Sequence, residues 1–199
     1  MVRDSGRNTT RERIAYLAAR LMAADGIEDY ALAKRKAARQ AGVPDTRQLP
    51  DNGEIDAALR LYRELYQQEY PAQLREMRQF ALAVMDEFAR FNPYLTGPIL
   101  KGNAGKNAAI SLQLFTDNFK SVEHYLLDRD IDFRSGEARF YAGDMALAAP
   151  VLSFDRDGVE VHLTLLMPRD LRFQLKASTA GKPIERAKRG AVEALIAAG

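Results

Sequence analysis

The chain has no cysteine, and this absence removes two ways of stabilising a fold. Disulfides and thiolate zinc sites both require cysteine side chains, so neither is available here. The chain also contains only two histidines, His124 and His162. A metal site made mainly of histidine ligands is therefore not expected. The content of 47% hydrophobic residues instead predicts an ordinary protein with one hydrophobic core, or one core with a helical attachment.

A strong charge of either sign is also missing. The chain carries 29 lysine and arginine residues against 27 aspartate and glutamate residues, for a formal net charge of +2. So small an excess weighs against nucleic acid and anionic membranes as partners. No apolar run approaches the roughly 20 residues of a membrane-spanning helix, and the first eight residues lack the apolar centre of a signal peptide. We therefore expect a cytoplasmic protein of a bacterium, without a membrane partner.

The first 90 residues carry a helical repeat of apolar side chains. Asp51 and Glu54 have the spacing of a capping box, which marks a helix start, and Thr9 and Glu12 show the same spacing. Gly42 has the position of a C-terminal cap. The periodicity predicts helices over residues 10–24, 30–41, 51–68 and 71–90, with a polar loop over residues 43–51.

From Tyr94 onward the apolar period changes from about 3.6 to about 2, which indicates strands. The connection between the first two strands is about eight residues, too short for a helical crossover, so these strands are expected to be antiparallel neighbours. The last two strands are joined by a segment that ends in Asp157-Gly158, a strong hairpin signal. The pattern predicts strands over residues 95–101, 109–116, 138–141, 149–154 and 159–167, and helices over residues 118–128 and 183–197.

Helices followed by strands are typical of an α+β fold. We predict a helical N-terminal region over residues 1–70. Residues 71–199 are predicted to form a mixed, mainly antiparallel sheet with covering helices, the last of them at the C-terminal end of the sequence.

The turn between the first two predicted strands has the residue types of an anion-binding site. Its glycines let backbone N–H groups approach an anion, and its lysines supply positive charge. An ordinary hairpin turn with solvated lysines would show the same residues. The candidate ligand-binding residues in and after this turn are Lys101, Gly102, Asn103, Gly105, Lys106, Ser111 and Gln113.

Glu160 and His162 form a second candidate pair. They lie two apart in a predicted strand, so both project from the face opposite Val161 and Leu163. Glu160 could bind a metal or accept a proton, and His162 could donate to a phosphate or a base. The solvent side of an edge hairpin would show the same alternation.

Residues 71–168 resemble the nucleotidyltransferase fold, the superfamily of DNA polymerase beta, poly(A) polymerase and the aminoglycoside nucleotidyltransferases. The element order is similar: a leading helix, a strand that ends in a glycine motif, a second strand, a helix and a later strand with an acid. The matching segments are Leu100-Lys101-Gly102-Asn103, Ile110-Ser111-Leu112-Gln113-Leu114, Val122 to Leu127 and Val159-Glu160-Val161-His162-Leu163.

The resemblance implies a nucleotide site and, in an active member, magnesium. Members of the family hold magnesium on an acid-hydrophobe-acid pair, because hard divalent cations need several anionic oxygens at one point. Here Ser111 and Gln113 occupy those positions, and Glu160 matches the third acid. The resemblance therefore implies a divergent protein that binds a nucleotide or another phosphorylated small molecule, with transfer activity lost or weak.

Two other interpretations stay open at this point. An active magnesium-dependent nucleotidyltransferase would use Glu160 as its catalytic and metal-binding acid, together with Asp117 or Asp144. A nucleic-acid-binding adaptor would use the N-terminal helices, where residues 34–36 and Arg39 form a basic patch. The sequence predicts no particular oligomeric state.

Overall fold

The computed structural model describes residues 5–27, 29–43, 49–179 and 181–198. Helices come first along the chain and a six-stranded mixed sheet follows, which confirms the predicted α+β class. The helices are α1 (Ser5–Ala24), α2 (Tyr30–Gln40), α3 (Asn52–Tyr66), α4 (Tyr70–Glu87), α5 (Gly97–Lys101), α6 (Lys120–Leu127) and α7 (Arg189–Ala197). The strands are β1 (Pro93–Thr96), β2 (Ile110–Phe115), β3 (Arg134–Ala142), β4 (Met145–Arg156), β5 (Val159–Leu166) and β6 (Arg186–Ala187).

The chain divides into two compact units. The helical unit comprises Met1–Gln73 together with Asn103–Asn107, and the sheet unit comprises Leu74–Gly102 and Ala108–Gly199. A short segment that follows α5 therefore belongs to the helical unit. Over the part of the chain that the structure describes, no helix is both long enough and apolar enough to cross a bilayer.

Small side chains dominate the core of the helical unit. Ala18 and Ala19 of α1 and Ala33 of α2 have no exposed surface, as have Ile14 and Ile55. Alanine at the contact lets helix axes approach closely, and the larger side chains then fill the space around it. The apolar faces of α1, α2 and α3 thus pack together into one core.

Polar contacts fix the start of α3. Asp51 and Glu54 form the predicted capping box, and Glu54 also accepts hydrogen bonds of 2.7 and 2.6 Å from Arg11 in α1. The pKa of the Glu54 carboxyl is lowered, chiefly by the bond from Arg11. The capping box predicted at Thr9 is wrong, because α1 begins upstream at Ser5 and Thr9 lies within it.

A buried arginine holds the segment after α5 in the helical unit. Arg63 of α3 is 6% exposed, and its Nη2 donates to the carbonyls of Asn103 and Ala104 at 3.3 and 2.9 Å. Its guanidinium carbon lies 3.7 Å from the centroid of the Tyr70 ring. Burial lowers the pKa of Arg63. This cation satisfies two carbonyls that would otherwise be buried without a donor.

The sheet has the strand order β3-β4-β5-β2-β1-β6. β2 and β5 are parallel, and the other neighbouring strands are antiparallel. The predicted antiparallel pairing of the first two strands is confirmed, and so is the hairpin between β4 and β5. Its turn residues, Asp157 and Gly158, have φ of 55° and 81°, the left-handed conformation that a tight hairpin turn requires.

Large apolar side chains bury one face of the sheet. Leu112 of β2 and Leu163 of β5 have no exposed surface. Phe88, just after α4, lies 6.0 Å from the ring of Phe154 in β4 and 5.3 Å from Tyr125 in α6, measured between ring centroids. The alternation of β2 and β5 therefore sends one set of residues into a core beneath helices and the other set to the opposite face.

Two predicted elements change type over part of their length, and the strands predicted over residues 138–141 and 149–154 are shorter than β3 and β4. The strand predicted over residues 95–101 is wrong beyond Thr96, because Gly97 has a left-handed φ of 77° and Pro98 then starts the short helix α5. The helix predicted over residues 183–197 begins at Arg189 instead, because Arg186–Ala187 adds to the free edge of β1 as β6. The predicted loop over residues 43–51 falls partly outside the described residues, at positions 44–48.

Replacing Arg63 by alanine tests its structural role. We expect Arg63→Ala to lower the free energy of unfolding by about 3 kcal/mol, because two buried carbonyls lose their donor and the Tyr70 ring loses its cation. Urea unfolding followed by circular dichroism measures the change. Arg60→Ala, an exposed arginine of the same helix, is the matched control and is expected to change stability by less than about 0.5 kcal/mol. Equal effects of the two substitutions would contradict the role.

Candidate ligand-binding face

The face of the sheet opposite the helices carries a line of polar side chains across its strands. Strand register places Arg134 opposite Ser153, Ser153 opposite His162, and His162 beside Ser111. On the other side, Ser111 lies opposite Thr96, and Thr96 opposite Arg186. We name these six residues the polar row: Arg134, Ser153, His162, Ser111, Thr96 and Arg186.

The parallel pairing of β2 with β5 creates the centre of the polar row. The residue pairs Ser111–His162 and Gln113–Thr164 are in register, so their side chains share one face. The prediction that Glu160 and His162 project away from Val161 and Leu163 is confirmed, since those two apolar residues are buried and the two polar ones are not. Glu160 also lies on β5, the strand that pairs with the strand of Ser111.

Glu160 lies beside the polar row, two residues before His162 in β5, and contacts both Arg134 and His162. Its Oε1 accepts a hydrogen bond of 2.6 Å from Arg134 and lies 3.3 Å from His162 Nε2. The three side chains form a connected series of arginine, carboxylate and imidazole. All three are partly exposed, with side-chain accessibilities between 37% and 79%, so the ion pair between Arg134 and Glu160 is screened by solvent.

Gln113, like Thr96, is a buried polar residue of this face. It is 3% exposed, and its Oε1 has no hydrogen-bond partner among the residues that the structure describes. The residues beside it in register are Tyr94 on β1 and Thr164 on β5. A buried acceptor without a donor costs about 1 to 3 kcal/mol, so this oxygen is an unused binding group within the sheet.

An apolar cluster borders the polar row next to Gln113. Tyr94 and Phe115 meet edge to face with ring centroids 5.2 Å apart, and Leu175 packs against the same cluster. Arg186 donates to the carbonyls of Leu171 and Phe173, and thereby holds that segment over the apolar end of the face. Arg186 is therefore committed to structure, while Arg134 and His162 remain the accessible cationic and titratable groups of the row.

The predicted turn residues lie outside the strands that form this face. Lys101 is exposed at the end of α5, and Gly102, with a left-handed φ of 76°, uses its N–H to bond the Pro98 carbonyl. Gly105 and Lys106, half-buried and exposed respectively, lie in the segment that belongs to the helical unit. The Gly102 N–H, which was predicted to approach an anion, is instead used to cap α5.

Asn103 has a different environment from the one predicted. Its Nδ2 donates to the hydroxyl of Tyr30 at 2.6 Å, and that hydroxyl donates to Asp56. Burial and the bond to Asp56 raise the pKa of Tyr30. Asn103 Oδ1 is buried and has no partner in the part of the chain that the structure describes. This amide thus belongs to a polar cluster of the helical unit.

The side chains present do not fit the magnesium that the resemblance implies. Among the described residues, no three aspartate, glutamate or histidine side chains are grouped as metal ligands. Ser111 and Gln113 offer neutral oxygens, and the Glu160 carboxylate is bonded to an arginine. Magnesium requires several anionic oxygens in octahedral geometry, and this donor set does not supply them.

Four residues of the polar row were not predicted from the sequence. Ser153 alternates with the buried Leu152 and Phe154, a period of 2 that could have placed it on this face. Arg134 lies in the part of β3 that the prediction left out, and Arg186 in a two-residue strand without any periodicity. Thr96 was predicted as a strand residue but not as a member of the site.

No protein-family model matches the chain, and a search of curated protein sequences finds no match. What the face can bind therefore follows from its own chemistry. It presents an accessible guanidinium group, an imidazole, a carboxylate and two serine hydroxyls, and it buries the Gln113 amide oxygen.

Removing the unpaired oxygen is expected to stabilise the protein. Gln113→Met keeps the side-chain length and eliminates the buried acceptor, so we expect the free energy of unfolding to rise by about 1 kcal/mol. Urea unfolding measures it. Gln67→Met is the control, because the Gln67 amide donates to the Ala23 carbonyl at 3.2 Å and its loss is expected to destabilise. A destabilisation by Gln113→Met that equals or exceeds the control would contradict the unpaired state of Gln113.

Proposed function

We propose that this protein is a divergent member of the nucleotidyltransferase fold that binds a nucleotide or another phosphorylated small molecule on the polar row. The observation that carries the proposal is the register of β2 with β5, which sets Ser111 beside His162 with Gln113 one step further along. The centre of the row lies on β2 and β5, the strands that the resemblance matches to the family's acidic motifs. Ser111 and Gln113 are neutral where the family has its paired acids, and Glu160 matches the third acid.

Phosphate binding would use the open part of the polar row. Arg134 and His162 can donate to phosphate oxygens, and the hydroxyls of Ser111 and Ser153 flank His162 in register. The ion pair between Arg134 and Glu160 is solvent-exposed, and such pairs contribute about 0 to 1 kcal/mol. An incoming phosphate can therefore replace Glu160 as the partner of Arg134 at little cost.

The Gln113 oxygen, which has no partner within the described residues, suits a ligand that also carries an N–H donor, once the side chains that bury this oxygen move aside. Nucleobases present such donors as amino or ring N–H groups, and inorganic phosphate does not. Tyr94 lies beside Gln113 in register and supplies an aromatic surface. A nucleotide with its phosphate near His162 and its base near Gln113 would use the donors of the polar row and the Gln113 acceptor together.

Metal-dependent transfer is not part of the proposal. Ser111 and Gln113 can hydrogen-bond a ligand, but they cannot neutralise the charge that two magnesium ions neutralise in the reaction of the family. Binding is therefore expected to be independent of magnesium. This expectation separates the proposal from the alternative of an active nucleotidyltransferase that uses Glu160.

Isothermal titration calorimetry with the four ribonucleoside triphosphates, each with and without magnesium, tests the proposal. We expect at least one to bind equally well in both conditions, and Arg134→Ala to weaken its binding about tenfold, which corresponds to about 1.4 kcal/mol. Arg139→Ala is the matched control, because Arg139 is an exposed arginine of the same strand on the opposite face, and it should leave affinity unchanged. Binding of none of the four, or equal effects of the two substitutions, would refute the proposal.

A further inference from the structure

The second helix of the chain carries positive charge alone. The sequence of α2 contains Lys34, Arg35, Lys36 and Arg39 and no aspartate or glutamate. Lys34 is half-buried and donates to Asn52 at 2.7 Å, whereas the other three cations are exposed. The formal charge of +2 for the whole chain therefore conceals a local excess, because the acids that balance these cations lie on other elements.

Helix geometry gathers the three exposed cations on one side of α2. At 3.6 residues per turn, Arg35, Lys36 and Arg39 fall within an arc of about 100° around the helix axis. Ala33 and Ala37 have no exposed surface and lie outside this arc, on the side that packs into the core of the helical unit. The three cations therefore project away from that core into solvent.

A fourth cation comes from α1. Arg20 is exposed, and its Nη2 donates to Oε1 of Gln40 at 3.4 Å. Gln40 lies one turn after Lys36, on the same side of α2. We name Arg20, Arg35, Lys36 and Arg39 the cationic face. In the part of the chain that the structure describes, none of the four forms an ion pair with an acid.

The chemistry of the cationic face suits a ligand with several phosphate groups. Like charges one turn apart on a helix repel each other, and a polyanion relieves this repulsion when it binds. Three of the four cations are arginines, namely Arg20, Arg35 and Arg39. The planar guanidinium of arginine matches two oxygens of one phosphate, which favours phosphate over a diffuse negative charge.

The other exposed side chains of α2 decide which polyanion fits. They are Ala31 and Gln40, so the helix exposes no aromatic or large apolar residue. A membrane-bound amphipathic helix inserts large apolar side chains, and a protein interface centres on aromatic or apolar anchors. Single-stranded nucleic acids are bound by stacking of bases on aromatic rings. The backbone of a duplex, in contrast, is bound by cations alone.

We propose that the cationic face binds the phosphate backbone of double-stranded nucleic acid without reading its sequence. Side chains that contact phosphates position a protein on a duplex but carry no base specificity. The cationic face belongs to the helical unit and lies outside residues 71–168, the segment that resembles the nucleotidyltransferase fold. The inference is therefore independent of ligand binding on the sheet.

The salt dependence of binding counts the phosphate contacts. Fluorescence anisotropy with a labelled DNA duplex of about 20 base pairs, from about 25 to about 200 mM NaCl, gives the association constant at each salt concentration. Four contacts predict a slope of about −3.6 for the logarithm of this constant against the logarithm of salt concentration. Arg35→Gln and Arg39→Gln are each expected to bring the slope about 0.9 closer to zero and to weaken binding about fivefold at low salt.

Arg139→Gln is the matched control, because Arg139 is exposed on β3 in the sheet unit and should leave the slope unchanged. Circular dichroism verifies that each variant is folded. Absence of binding at about 25 mM NaCl would overturn the proposal, because non-specific duplex binding is strongest at low salt. Equal effects of the control and of the two α2 variants would also overturn it.

Two further probes identify the partner. A second duplex of unrelated sequence is expected to bind within about twofold of the first, because the contacts go to phosphates. A single strand of the same length is expected to bind more weakly, because its charge density is lower and α2 offers no stacking surface. Tighter binding of the single strand, or of phosphatidylserine vesicles, that is lost in Arg35→Gln would overturn the assignment to a duplex.

Discussion

The parallel ladder between β2 and β5 is the contact on which the candidate site depends. It is the one parallel ladder of the described sheet, and it lies between antiparallel pairs on both sides. Its register decides two things together: which apolar residues of both strands enter the core beneath the helices, and which polar residues meet on the other face. A slip by one residue would exchange these faces, so the hydrophobic core fixes the position of the polar row as firmly as it fixes the fold.

Two buried polar side chains, the Arg63 guanidinium and the Gln113 amide, differ in whether the fold explains their burial. Arg63 donates to two carbonyls and stacks on an aromatic ring, and its position is explained by the segment that it holds. Gln113 is also buried, yet its oxygen has no partner in the part of the chain that the structure describes. The first group contributes to stability, whereas the second costs stability unless something outside the chain supplies a donor. That cost is the reason to regard Gln113 as a ligand contact.

The elements that follow from periodicity could be predicted, and those set by long-range contacts could not. The repeats in α1 to α4 and the alternation in β2 and β5 specify their own structure, and Asp51 with Glu54 marks a helix start. β6 is two residues long and exists because the edge of β1 accepts it, which no local pattern encodes. Asn103 was predicted to contact an anion because its neighbours are glycines and lysines. Its partner is Tyr30, a contact between residues 73 positions apart along the chain.

The central claim is that the ligand binds on the polar face of the sheet, and the two histidines give a direct test. His162 lies in the polar row, and His124 is exposed on α6, away from it. Because the chain contains no other histidine, a proton NMR spectrum shows two imidazole Hε1 signals, which His124→Gln assigns. During titration with the nucleotide that binds best, the signal of His162 should shift in a saturable manner while that of His124 stays in place. Equal shifts of both signals, or a shift of neither at saturating nucleotide, would contradict the claim.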